Sequence, residues 1–177
     1  MKLYVGTYKK YNEGSLEGKW LDLDDYNDKD EFLEACYELH KDEKDPELMF
    51  QDSDIDNDWE EKLYAESSVP EEYWEIKEAI KESYINDDIF SVWMNHECET
   101  PSVEQVKKCE DCYITHMEDS FNPGADYAEQ EFEETHSAEE MKRLEWITRY
   151  IDWDAVWRDM TFDGYFEEDG YIFDSNR

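Results

Sequence analysis

The sequence predicts an α+β protein made of three small subdomains, and three observations lead to this prediction. Segments near both ends alternate apolar and polar residues, as strands do, whereas the middle has helical periodicity and little strand signal. The 177 residues are 39% hydrophobic and 16% aromatic, and chains kept disordered by charge are poor in aromatics. The expected subdomains are a mixed α/β N-terminal part (1–58), a helical middle (59–101) and an α/β C-terminal part (102–177).

The N-terminal part contains two predicted strands and a helix. The strands cover Leu3–Tyr8 and Trp20–Leu23. The helix begins at Asp28, which forms a capping box with Glu31. Its apolar residues recur at helical spacing, at Phe32, Leu33, Cys36 and Leu39. Residues 48–50 read as a short buried strand.

The middle part contains the most informative pattern, a helix predicted to begin with Ser68 as N-cap, Pro70 in the first turn and Glu71 completing a capping box. At about 100° per residue, one side of this helix is apolar: Val69, Tyr73, Ile76, Ile80 and Tyr84. The opposite side carries a narrow acidic stripe: Glu71, Glu75, Glu78 and Glu82. Like charges at i and i+4 repel, so stability alone would favour alternation with lysine. The stripe indicates a binding surface, although an ordinary solvated helix face is an equal alternative.

The C-terminal part mixes helices and strands. Ser137 and Glu140 form a further capping box. The predicted elements are a strand at residues 113–115, helices at residues 126–134, after Ser137 and at 150–160, and a closing hairpin of residues 162–166 and 170–173.

The charge of the chain is strongly negative, with 51 Asp and Glu against 17 Lys and Arg and a formal net charge of −34. Residues 1–23 carry three acids and four bases, so the excess lies in the rest of the chain. Such acidity excludes ordinary nucleic-acid binding, which needs clustered Lys and Arg. Adaptation of the protein to high salt would explain the same acidity.

No apolar run reaches the roughly 20 residues of a membrane span, and the start is too short for a signal peptide, so we expect a cytoplasmic protein.

A metal site is the main chemical alternative. Cys109 and Cys112, with His116 after them and Cys98 before them, could supply four ligands for zinc, in a structural module or a hydrolase. The spacing matches no established finger pattern. The commoner catalytic motifs and phosphate-binding loops are missing, so we expect neither an enzyme nor a cofactor.

Three segments resemble the ArdA family of antirestriction proteins: residues 4–21, with aromatics and a Lys-Tyr-Asn-x-Gly turn, residues 45–52, and residues 150–160, which end in an Arg-Asp-Met sequence. The resemblance implies an elongated three-part protein, encoded on mobile genetic elements, that dimerises through its C-terminal part. It also implies imitation of bent duplex DNA and inhibition of type I restriction-modification enzymes. The Cys109–Cys112 pair departs from the family pattern and leaves the zinc alternative open.

Two sets of residues follow as candidates for binding. The expected DNA-mimic surface consists of the acidic stripe with three acids of the preceding helix, Asp30, Glu34 and Glu38. The expected dimer interface uses C-terminal aromatics, because aromatics are enriched at interfaces: Trp153, Trp157, Tyr165 and Phe166. An ordinary subdomain core would explain these aromatics equally well. The partner could instead be another basic DNA-binding protein, such as a histone-like protein.

Overall fold

The computed structural model describes residues 1–177 and contains nine α-helices, one 3-10 helix and two three-stranded antiparallel sheets. The predicted α+β class is confirmed. The chain forms two compact units, Met1–Lys107 and Lys108–Arg177. The further division of the first unit near residue 58 stays a prediction.

The first unit begins with a small sheet and continues with helices. Its sheet has the order β2-β1-β3. Between residues 59 and 101 the regular elements are helices, with one isolated β-bridge between Ala65 and Ser68. The elements are β1 (Lys2–Thr7), α1 (Tyr8–Asn12), β2 (Lys19–Asp22), a 3-10 turn (Leu23–Asp25), α2 (Lys29–Leu39), β3 (Leu48–Asp54), α3 (Asp58–Glu61), α4 (Glu72–Glu82), α5 (Asp87–Glu97) and α6 (Val103–Cys112), which crosses into the second unit.

The core of the first unit is aromatic. The Phe32 ring of α2 lies 6.0 Å from the Phe50 ring of β3, and both are buried. Trp59 of α3 is fully buried, with ring centroids 5.9 Å from Tyr73 of α4 and 5.8 Å from Phe90 of α5. Each of these side chains removes a large apolar area from water. Trp59 therefore joins three helices, one of which carries the acidic stripe.

Local hydrogen bonds explain where two helices begin. Asp28 accepts a hydrogen bond from the Glu31 backbone and caps α2, as predicted. In a full capping box the Glu31 carboxylate would accept a hydrogen bond from the Asp28 backbone. Here it accepts from the backbone and side chain of Asn27 instead. The short helix α1 was not predicted. Thr7 caps it by accepting from the Lys10 backbone, a role that the alternating pattern around Thr7 conceals.

A buried lysine and histidine tie α1 to the end of α2. The Nε2 of His40 lies 3.2 Å from the Val5 carbonyl, and its Nδ1 lies 3.3 Å from the Lys10 ammonium. Nε2–H therefore donates to Val5, and Nδ1 accepts from Lys10 in a neutral imidazole. The ammonium also contacts both oxygens of the Asp42 carboxylate, at 3.2 and 3.1 Å. The hydrogen bond from Lys10 lowers the pKa of Asp42 below its ordinary value.

The Lys10–Asp42 ion pair predicts a pH-dependent contribution to stability. Because the pKa of Asp42 is lower in the folded protein, the contribution is present above the ordinary pKa of 3.8 and is lost as pH falls through the folded value. Asp42→Asn should therefore lower the Tm at pH 7, and the difference should shrink below about pH 4. Thermal unfolding at low protein concentration measures this, with Asp45→Asn as an exposed control. An equal difference at pH 7 and pH 3 would contradict the assignment.

The second unit contains a sheet of order β4-β6-β5 and three helices. The capping box of Ser137 and Glu140 is confirmed. The last helix begins later than predicted, because Asp152 caps it. The hairpin turns through Asp169 and Gly170, both with positive φ. The elements are β4 (Tyr113–His116), α7 (Pro123–Thr135), α8 (Ala138–Thr148), α9 (Trp153–Phe162), β5 (Tyr165–Glu168) and β6 (Tyr171–Asp174).

Gly124 lies in close contact with the last helix of the second unit. A Cβ atom at this position would lie 2.3 Å from Nε1 of Trp157, on α9. Gly124→Ala should therefore destabilise the unit by about 1–3 kcal/mol through overpacking. Urea unfolding followed by tryptophan fluorescence measures the loss. Gly124→Ala should cost less in a Trp157→Leu background, which leaves room for the added methyl group. An unchanged midpoint for Gly124→Ala in the natural protein would contradict the close contact.

None of the nine helices combines the length and apolar character needed to cross a bilayer.

Candidate acidic binding surface

The acidic stripe of α4 is exposed along its whole length. Tyr73, Ile76 and Ile80 are buried on the opposite side. The four glutamates of the stripe, Glu71, Glu75, Glu78 and Glu82, are all exposed. The predicted two-sided helix is thus confirmed in its central turns.

Both ends of α4 differ from the prediction. The helix begins at Glu72, with Glu71 as an N-cap that makes no side-chain capping bond. Ser68 instead forms an isolated β-bridge with Ala65, so it is not available as the N-cap. At the other end Ser83 has extended backbone angles, which leaves Tyr84 outside the helix and 65% exposed. The apolar side therefore ends at Ile80.

The stripe lies on one wall of a shallow groove. All four glutamates line this groove, which has a volume of about 440 Å³, together with Asp28 and Lys29 from the start of α2. Consecutive stripe carboxylates are separated by about 5.5 Å of helix rise. The sequence assigned Asp28 only as a cap, and its place beside α4 comes from the packing of the two helices. We call the stripe with Asp28 the acidic groove.

The other predicted acids lie on the solvent side of α2. Asp30, Glu34 and Glu38 are exposed, whereas Phe32 and Cys36 are buried on the core side. These three acids are not among the residues that line the acidic groove. Glu38 forms an ion pair with Lys41. The structure therefore gives two rows of carboxylates in the first unit, one on each of two helices.

The half-buried lysine of α4 does not neutralise the groove. The ammonium of Lys77 lies 3.5 Å from Asp87, 3.7 Å from Glu60 and 3.9 Å from Asp24. Burial favours the neutral amine, but these three carboxylates together raise the pKa of Lys77 above its ordinary value. Burial also raises the pKa of Glu60. Lys77 thus pairs with acids outside the stripe. Lys81 pairs with Glu78 of the stripe at 3.5 Å, on the exposed surface, where such an ion pair is weak.

The predicted dimer-interface aromatics are partly exposed and contact their own unit. Trp153 lies 5.5 Å from the ring of Phe132, and Trp157 lies 6.2 Å from Tyr127. Tyr165 is 6.4 Å from Trp157, and Phe166 stacks on Phe173 at 4.8 Å. These contacts give each aromatic a packing role within the second unit. Participation in a dimer stays a prediction.

The four candidate zinc ligands do not form one cluster. Cys109 and Cys112 are buried on α6, and burial raises the pKa of the Cys109 thiol, which disfavours the thiolate that binds metal. The ring of His116 stacks on Tyr171 at 3.9 Å, and Cys98 caps α5. No three His, Cys, Asp or Glu side chains form a group that could hold a metal ion. The zinc alternative gains no support from this arrangement.

Comparison with known proteins gives one decisive match. A search of curated proteins found no significant match. A family model described as antirestriction protein (ArdA) matches residues 3–173, which include the acidic groove and both units. The resemblance noted in the sequence is therefore confirmed over nearly the whole chain, and the protein belongs to the ArdA family of antirestriction proteins.

Proposed function

We propose that this protein inhibits type I restriction-modification enzymes by imitating DNA, so that its carboxylates occupy the basic groove in which such an enzyme binds duplex. Restriction would be blocked, and modification with it, because both reactions need the same bound DNA. The observation that carries the proposal is the acidic groove, where four exposed glutamates follow one helix face and outnumber the two lysines beside them, Lys29 and Lys81. This is a binding function without catalysis, exerted in the cytoplasm.

The net negative charge of the chain is sufficient to imitate a stretch of duplex DNA. Duplex DNA carries one negative charge per about 1.7 Å, so 34 net charges correspond to roughly 58 Å of duplex, or about 17 base pairs. The stripe alone supplies one charge per about 5.5 Å, close to a third of that density. Other carboxylates must therefore contribute, and the row on α2 (Asp30, Glu34, Glu38) is the proposed second contributor.

The binding mechanism follows from the placement of these carboxylates on helices. The carboxylates attract counter-cations and the basic groove of the enzyme attracts counter-anions, and release of these ions on binding favours the complex at low salt. The helical backbone fixes the spacing of the carboxylates before binding, which reduces the ordering cost of association. Each carboxylate contributes modestly, as single phosphate contacts do. Inhibition should therefore depend on many residues and weaken as salt rises.

We further propose that the protein acts as a homodimer through its second unit. Helix α8 has no buried residue, and large side chains on and near it are exposed, Trp146 at 67% and Tyr150 at 77%. A second copy of the chain would cover such a face, together with the exposed parts of Trp153, Trp157, Tyr165 and Phe166. Two copies would correspond to about 34 base pairs of duplex. Sedimentation at micromolar concentration tests this, and a monomer would contradict it.

The proposed function is tested with a purified type I enzyme. The protein should prevent both DNA binding and cleavage at low salt, and the inhibition should fade as the salt concentration rises. A lack of inhibition at low salt would contradict the proposal. Capture of nucleoid proteins instead of restriction-modification subunits from a bacterial lysate would indicate a different basic partner.

A further inference from the structure

A second surface feature lies on the sheet of the first unit, and its lining shares no residue with the acidic groove. Tyr4 of β1 pairs with Trp20 of β2 on one side and with Asp52 of β3 on the other. Directly opposed residues of adjacent strands point to the same face of a sheet. Leu3, Val5 and Leu21 alternate with them and are buried. The row Trp20–Tyr4–Asp52 therefore lies on the face turned away from the core.

This row forms the base of a cleft. Tyr11 from α1, Leu16 from the following loop and Gln51 complete its lining, and the volume is about 380 Å³. Three of the six lining residues are aromatic, one is a carboxylate and none is a cation. Trp20 is 42% exposed and Tyr11 is 49% exposed. We call this feature the aromatic cleft.

The walls of the aromatic cleft are held in place before any ligand binds. The hydroxyl of Tyr4 donates to the Leu16 carbonyl at 3.0 Å, which fixes the loop against the sheet. The Tyr4 and Trp20 rings meet edge to face at 5.4 Å. A Cβ at Gly18 would lie 2.9 Å from the Tyr4 ring and 2.4 Å from the Val5 carbonyl, so glycine is needed there. One oxygen of Asp52 accepts from the Ser53 backbone at 2.9 Å, and this bond orients the carboxylate.

We propose that the aromatic cleft binds an arginine side chain of the protein partner. Aromatic faces attract cations, and a carboxylate beside them pairs with a guanidinium by charge-assisted hydrogen bonds. A purely apolar side chain would desolvate Asp52 without compensation, and an anion would be repelled by it. Arginine suits the cleft better than lysine, because the planar guanidinium stacks on aromatic rings.

This assignment rests on the proposed function only for the source of the arginine, which is the basic surface of the inhibited enzyme. The cleft chemistry itself depends on this chain alone. Acidic-groove carboxylates imitate phosphates and bind cations by charge, whereas the aromatic cleft would select one type of cation by shape. The partner would then be recognised partly as a protein, through a contact that DNA does not make.

The test uses the intact protein and small arginine probes. The indole N–H resonance of Trp20, identified with Trp20→Phe, is followed during titration with N-acetyl-arginine methylamide, its lysine counterpart and its neutral citrulline counterpart. A saturable shift with arginine is expected, at least threefold tighter than with lysine and absent with citrulline. The indoles of the other tryptophans serve as internal controls. Equal shifts with citrulline, equal affinity for lysine, or no saturation with arginine would overturn the assignment.

Two variants localise the binding. Asp52→Asn, which alters an exposed side chain, should weaken the arginine affinity about fivefold or more. Tyr11→Leu should also weaken it, whereas Tyr37→Leu, at an aromatic with nearly the same exposure of 48% on α2, should not. Equal effects of the two tyrosine variants would overturn the assignment. The titration contains no restriction enzyme, so its failure would contradict arginine binding and leave the antirestriction proposal intact. If the protein binds arginine but inhibits no enzyme, only the antirestriction proposal is contradicted.

Discussion

Replacing the four stripe glutamates (Glu71, Glu75, Glu78 and Glu82) by glutamine should weaken inhibition of a type I enzyme about 25- to 700-fold. This range assumes about 0.5–1 kcal/mol for each exposed carboxylate that meets a cation, and 1.4 kcal/mol for each factor of ten. All four are exposed and line one groove, so their contacts with a basic surface are lost together. The inhibition constant measured at fixed low salt reports the change.

A second quadruple variant separates local from general charge effects. Glu13→Gln, Glu17→Gln, Asp45→Asn and Asp56→Asn change the net charge equally, and all four residues are exposed outside α2 and α4. This control should reduce inhibition far less than the stripe variant. Equal losses in the two variants would show that total charge, and not the acidic groove, determines binding.

The same stripe variant should be more stable than the natural protein. Three pairs of glutamates at i+3 or i+4 repel one another along α4, and each pair costs about 0.2–0.5 kcal/mol. Glutamine removes all three repulsions and also breaks the ion pair of Glu78 with Lys81, a single exposed pair of similar size, so the balance favours the variant. A loss of inhibition accompanied by a gain in the free energy of unfolding would distinguish a binding surface from a damaged fold.

Trp59→Ala should have the largest effect on stability, a loss of about 3–5 kcal/mol for the first unit. Trp59 is fully buried and packs against Tyr73 and Phe90. Its indole N–H also donates to Asp87 at 3.0 Å, one of the carboxylates that hold Lys77. The substitution removes an anchor of α4 as well as core volume. Inhibition should therefore disappear at temperatures where the natural protein still acts.

Chemical denaturation with circular dichroism measures the effect of this substitution. Tyr37→Ala, at an exposed aromatic of the same unit, should change the free energy of unfolding by less than about 0.5 kcal/mol. A small change in the free energy of unfolding for Trp59→Ala would show that the contact between α3 and α4 does not anchor α4.

The sequence predicted the elements whose signals are local. The Ser137–Glu140 capping box needs only a three-residue spacing, and the buried side of α4 needs only helical periodicity, so both are confirmed. The predicted start of α4 was wrong because Ser68 forms a β-bridge with Ala65, a contact that a capping pattern in the sequence does not reveal. Helix α1 was missed because Thr7 caps it inside an alternating segment.

The binding features that depend on packing could not be read from the sequence. Asp28 joins the acidic groove only because α2 begins beside α4. Trp20, Tyr4 and Asp52 are distant along the chain, and the strand register of the sheet brings them into one row. Among 51 acidic residues, spacing alone cannot single out Asp52, whereas its aromatic neighbours do.

The proposed DNA mimicry is tested most directly by competition with DNA on a type I enzyme. Duplex affinity is measured at increasing concentrations of the protein, at a fixed salt concentration. Occupation of the DNA-binding groove predicts that the apparent Kd for duplex rises in proportion to the concentration of protein, without a limit, because the two cannot bind together. A rise that reaches a plateau, with protein and duplex bound to the enzyme at the same time, would contradict the mimicry.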